Sequence, residues 1–288
     1  MSTSPIPGAL EAALQRLCSE QELAPEHTVF VSDGGGRSLL ARGHQAYGWQ
    51  DLQGQALPLA EGIKMARPEL HVFVITSEAH CCGVGAAHWI HALRRNMNLT
   101  VIVQGQHAGA RSRQQAAAGG QPAPGGAVLA PINPLSVSLG VSGASFIAQA
   151  VDWIPALLDD TLHAAFKHRG LSFVRLLHRA SFASGFDPWL HDPQRCLLLT
   201  HTDGLQPSPA LSSIYRNQRV HDPADIDEAR TVAAQDDPIP VGLLYRNPAM
   251  PCYEDLRHAA PLRAPEFIRA GLARELDRTT VGPGGERA

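Results

Sequence analysis

"VFVITSEAHCCGVGAAHWIHALRRN", residues 72–96, opens as an unbroken apolar run and closes as an amphipathic one. A run of Val, Phe and Ile without polar alternation suits a strand buried on both faces. Residues 84–95 carry helical spacing and end in Arg94-Arg95, cations that suit the carboxyl end of a helix dipole. Between strand and helix lies Ser77-Glu78-Ala79-His80, the turn where an open α/β sheet places its ligands. The fold and the site are both read from this stretch.

Working outward, the same grammar repeats. Residues 8–22 predict a helix with Ala9, Leu10, Ala13, Leu14 and Leu17 on one face. "HTVFVS", 27–32, predicts a short strand that runs into Asp33-Gly34-Gly35-Gly36. A helix over 56–66 is stopped by Pro68, and strands follow at 70–77 and 98–104. Beyond them the pattern predicts helices at 134–140 and 154–168 and strands near "ASFIAQ", at 171–177 and at 241–246. Alternating buried strands and helices imply a doubly wound, mostly parallel α/β sheet with right-handed crossovers. Residues 33–36, 77–82 and 104–109 are then strand ends converging on one crevice.

This layout assigns residues 1–178 to the α/β domain and 179–276, where prolines gather and periods shorten, to a C-terminal extension. The composition of 277–288 reads as a disordered tail. The stretch 105–131, rich in Gly, Ala and Gln, has no apolar period and reads as a lid or a partner-binding arm.

With 288 residues, 44% hydrophobic and 18% charged, the chain can bury a large core. A net charge of −3 gives no general attraction to nucleic acid or to anionic membrane. No stretch approaches ~18 uninterrupted apolar residues, and the start lacks a signal-type pattern, so the expectation is a cytoplasmic protein. Cys18, Cys81, Cys82, Cys196 and Cys252 form neither a disulfide framework nor a C-x-x-C pair, and read as small buried hydrophobes. His80, His88 and His91 gather near the crevice, but packing or hydrogen bonding explains them better than a zinc site. The glycine run with Gly35 suggests a phosphate turn, although no Lys-Ser/Thr follows it. Arg37 stands beside it as a phosphate contact or a surface and partner residue.

The pieces "GQALPLAEGIKMARPEL", "GAAHWIHALRRNMNLTVIV" and "PINPLSVSLGVSGASFIAQAVD" carry a family likeness, as do "RGLSFVRLL", "HDPADIDEA" and "IPVGLLYR". In collinear order from about residue 25 to 255, the chain resembles the β subunit of 2-oxoacid:ferredoxin oxidoreductases. That resemblance implies a thiamine diphosphate-binding fold and the diphosphate half of a thiamine diphosphate–Mg²⁺ site. It implies an α-like partner subunit with the pyrimidine-binding half, and, in a redox version, a ferredoxin or ferredoxin-domain subunit. It places the cofactor contacts at Gly35, Arg37, Gly54, Ser77, Glu78, Ala79 and Gln106, with Glu78 and Gln106 as the metal ligands.

The departures are as informative as the matches. Ser77-Glu78-Ala79 stands where the family has Gly-Asp-Gly, and Gln106 where it has an Asn ligand. The oxygen donors survive with one more methylene each, yet Mg²⁺ demands near-ideal octahedral geometry at about 2.0–2.1 Å. A family histidine is replaced in Gln53-Gly54-Gln55. The four cysteines that hold the family's iron–sulfur cluster are absent: residues 4–8, Gly36 and the stretch 178–185 carry none. A thiolate cluster needs its ligands, so none is expected in this chain. Two readings follow. The chain is a β-like subunit acting on a 2-oxoacid with its partner, or it is a non-catalytic scaffold or regulatory subunit that keeps the fold without the cofactor.

Overall fold

The structure is a computed structural model, and it describes residues 8–33, 46–51, 53–106, 132–178, 192–202, 204, 206–235 and 237–259. The chain divides by internal contacts at Tyr253, and of the second unit only the helical residues up to Ala259 are described.

Strand β1 is Thr28–Asp33, β2 Tyr47–Asp51, β3 His71–Ser77, β4 Leu99–Gln106, β5 Phe146–Val151 and β6 Leu171–His178. Later come β7 Cys196–Thr200, β8 Gln218–Val220 and β9 Ile239–Arg246. They form one nine-stranded sheet in the order β2-β1-β3-β4-β6-β5-β9-β7-β8. Pairing is parallel from β2 through to β5. It turns antiparallel between β5 and β9, and β9, β7 and β8 are again parallel to one another. The carboxyl ends of β1, β3, β4, β6 and β5 therefore share one edge. The strand order reverses beside β1, which places the expected ligand crevice between β1 and β3.

Alternation along each strand separates two cores. Val29, Val31, Val72, Val74, Val101 and Val103 face helices α2 (Ala56–Ala66), α3 (Ala86–Arg95), α4 (Pro134–Leu139) and α7 (Ile226–Ala233). Phe30, Phe73, Ile75 and Ile102 face α1 (Ala9–Glu20) and α5 (Pro155–Lys167). Strands with large apolar residues on both sides are what a sheet covered on both faces needs. Helix α6 is Pro209–Ile214 and α8 is Tyr253–Ala259.

The opposite edge is closed by a polar knot. Asn96 caps α3 with φ of 52°, a left-handed turn that Asn tolerates better than most residues. Its Oδ1 accepts from Leu171 N at 2.8 Å and from Ser145 Oγ at 2.6 Å, and its Nδ2 donates to Pro251 O at 3.0 Å. Because the Ser145 hydroxyl is spent on Asn96, His168 Nε2, 2.7 Å away, must be the donor to it. Gly170 has φ of 128°, and a Cβ there would lie 2.5 Å from Asn96 Oδ1.

The strands and helices expected at 56–66, 70–77, 84–95, 98–104 and 171–177 are present within two residues. Two features were not legible. The sheet runs on through β7, β8 and β9 beyond residue 178, and β2 forms an edge. Strands of three or five residues hold too few periods to declare themselves. Gly35, Arg37, nearly all of the 105–131 loop and the 277–288 tail lie outside the described residues.

Candidate functional site

Asp33 ends β1 at the switch point, with its side chain 1% exposed. Its Oδ2 accepts from Thr76 Oγ1 at 2.6 Å and from Gly54 N at 3.2 Å. His80 Nδ1 stands 3.3 Å from Oδ1, but neither atom is aligned for a hydrogen bond. Gly54 is there for backbone reasons: φ is 77°, and a Cβ would meet Gly85 N at 2.7 Å. Its described role is to seat the start of α2 against the turn before α3 and to donate to Asp33.

Ser77 accepts from His80 N at 3.1 Å, capping the helical turn that continues as a π-helical stretch over His80–Val84. The residue standing where the family has a glycine thus holds the turn together. Ala79 is exposed at its start. Cys81 and Cys82 are buried in the stretch, and the Cys81 thiol is pushed well up by its hydrogen bond to Cys82 and by burial. A thiol held protonated in this way is neither a metal ligand nor a nucleophile.

Glu78 turns along the sheet edge. Its Oε1 accepts from Arg175 Nη2 at 2.9 Å; its Oε2 accepts from the same Nη2 at 3.1 Å and from Nε at 3.2 Å. Arg175 Nη1 donates to Gln149 Oε1 at 3.1 Å, and Gln149 Nε2 to Pro240 O at 2.6 Å. Gly105 on β4 makes the crossing feasible, since a Cβ there would sit 1.9 Å from Glu78 Oε2. The result is a polar strap from β3 over β4 to β6, β5 and β9, following the order of the strands.

Of the expected site residues, Ser77, Glu78 and Gly54 come together at this edge. Gln106 lies opposite His178 in the β4–β6 register, and its side chain is outside the described set. His88 and His91 sit on α3 without assembling a metal site. Among the described residues no group of three or more His, Cys, Asp or Glu could hold a metal ion. Asp33, Gln149 and Arg175 were not anticipated. Arg175 in the apolar strand "LSFVRLL" and Gln149 in "FIAQAV" were the available signals, because a polar group inside a buried strand requires a partner.

These placements do not fit the Mg²⁺–diphosphate group that the fold implies. Both oxygens of Glu78 are committed to a guanidinium. Beside them the buried Asp33 carboxylate repels phosphate, and Ser77 and Ala79 carry side chains where backbone would approach it.

Residues 26–176, just over half of the chain, match the family model "Thiamine pyrophosphate enzyme, C-terminal TPP binding domain". The chain belongs to that family. Residues 212–260 match the family model for the carboxyl-terminal part of the pyruvate ferredoxin oxidoreductase β chain, and the two matches together make it a β-like subunit of the 2-oxoacid:ferredoxin oxidoreductase type. It is 31% identical over 170 residues to the 2-oxoglutarate oxidoreductase subunit KorB of Mycobacterium tuberculosis, a match covering 57% of this chain and 45% of that one. It is 27% identical over 257 residues to 2-oxoacid:ferredoxin oxidoreductase 1, subunit beta, of Aeropyrum pernix, covering 85% and 76%. The fold matches 2-oxoglutarate:ferredoxin oxidoreductase from Magnetococcus marinus, solved with 2-oxoglutarate, coenzyme A and succinyl-CoA, at a TM-score of 0.71 and 20% identity, covering 95% and 93%. Among the described residues no helix is long and apolar enough to cross a membrane.

Proposed function

We propose that this chain serves as the β-type subunit of a heteromeric 2-oxoacid oxidoreductase-type assembly, and that its contribution there is structural or regulatory. The observation that carries this reading is the Glu78–Arg175 pair, which engages the one carboxylate expected to hold the metal. The missing cluster cysteines act in the same direction, since the chain then has no electron relay of its own. The partner is an α-type subunit that covers the sheet edge ending in Asp33 and Glu78. A permanent contact of this kind buries more than about 2,000 Å².

A second reading keeps Mg²⁺–thiamine diphosphate and 2-oxoacid chemistry within the assembled complex. The family match over residues 26–176, which spans the crevice, favours it. Co-expression with an α-type subunit, then calorimetric titration of the purified complex with thiamine diphosphate and Mg²⁺, separates the two. The first reading expects a stable complex with a dissociation constant above about 100 μM, equivalent to less than about 5.5 kcal/mol of binding. It also expects no stoichiometric iron or acid-labile sulfide in this subunit. Binding near ~1 μM overturns it in favour of the second.

A further inference from the structure

We infer that Arg175 is a resident cation that takes over the divalent metal's electrostatic role in this crevice, with Glu78 as its counter-ion. This rests on the reading of a crevice without cofactor and names how the crevice is held. Three independent features support it.

The first is the bonding. The guanidinium donates three hydrogen bonds to the two Glu78 oxygens and one to Gln149, so most of its directional donors are spent inside the protein. A guanidinium matches a carboxylate bidentately and stays charged at all working pH values, which makes it a permanent substitute for a bound cation. The second is the path. Gly105 is the position on the intervening strand where a side chain would collide with the Glu78 carboxylate, so the backbone is shaped to let the pair meet. The third is the length of the acid. Glu78 lies one residue beyond β3 and reaches over β4 to β6 with the extra methylene that separates it from Asp. The longer acid, awkward for a metal cage, suits a carboxylate that must cross a neighbouring strand.

The pair is held at both ends. Gln149 faces Arg175 in the β5–β6 register and anchors to the Pro240 carbonyl on β9. With side-chain exposures of 16% and 24%, Arg175 and Glu78 are shielded enough for the attraction to outlast ordinary salt.

The test is metal dependence, read on the full chain with Mn²⁺ as the probe. Wild type should bind no Mn²⁺ by electron paramagnetic resonance up to about 1 mM, and its melting temperature should ignore the ion. Arg175→Met strips the cation and leaves Glu78 charged. Mn²⁺ should then bind, raising the melting temperature by about 5 °C at a hundredfold excess over its dissociation constant. Adding Glu78→Gln should abolish that gain, whereas Arg175→Lys, which keeps a charge, should show none. If Arg175→Met does not fold, the wild-type and Glu78→Gln titrations still decide: Mn²⁺ bound by wild type and lost in Glu78→Gln overturns the inference. So does a folded Arg175→Met chain that takes up no Mn²⁺, an outcome that leaves the proposed function intact. Thiamine diphosphate retained by the wild-type complex would instead remove that function.

Discussion

Asn96 and Glu78 stand at opposite edges of one sheet, and each is the centre of a polar cluster. Asn96, with Ser145, His168 and Gly170, forms a buried neutral knot whose hydrogen bonds are matched. Glu78, with Arg175 and Gln149, forms a charged strap at a part-exposed edge, and beside it Asp33 Oδ1 and His80 Nδ1 have no hydrogen bond. One edge is a finished structural joint that fixes how α3, β5 and β6 start. The other is a former ligand edge in which an ion pair spans the strands. A neutral network answers to packing and backbone handedness, whereas a charged one answers to its counter-ion.

The largest expected effect is at the knot. Asn96→Ala should destabilise by roughly 4 kcal/mol, because it strands Leu171 N–H and Ser145 Oγ and puts Ala at a left-handed φ. Urea unfolding measures this, and a loss under about 1 kcal/mol would erase the distinction between the edges.

Next is the pH response of the same region. Burial lowers the His168 pKa to about 4, so the folded state holds the ring neutral while the unfolded chain protonates it first. The stability from neutral His168 is full above about pH 6.5 and is lost as pH falls towards 4, by up to about 3 kcal/mol. His168→Asn should flatten the decline in urea midpoint across that window. An unchanged slope would place the acid sensitivity elsewhere.

At the strap, Gly105→Ala should cost about 2 kcal/mol by pushing Glu78 off Arg175. Its loss should shrink at high salt, and the Asn96→Ala loss should not. Equal salt responses would break the contrast. The smallest effect belongs to the exposed pair Arg16–Asp159 between α1 and α5, at 2.8 Å. Arg16→Ala should cost under about 1 kcal/mol and sets the baseline for an ion pair without a shielded edge.

The amphipathic run at 84–95 and the apolar runs at 70–77 and 171–177 are complete in themselves, so the sequence alone determined the strands, the helices and the mostly parallel sheet. It also marked the edge where Ser77 and Glu78 lie, because strand ends follow from topology. It could not reveal that β7, β8 and β9 extend the sheet, since such short strands carry little period. Nor could it tell what Glu78 does. A carboxylate one methylene longer than Asp reads equally as a stretched metal ligand or as half of an ion pair. The choice was made by a residue nearly a hundred positions away, Arg175, across a strand whose Gly105 leaves the way open. Local propensity acts through neighbours in the chain, whereas a charge is satisfied by whatever the folded sheet brings within about 3 Å, and only tertiary structure decides that.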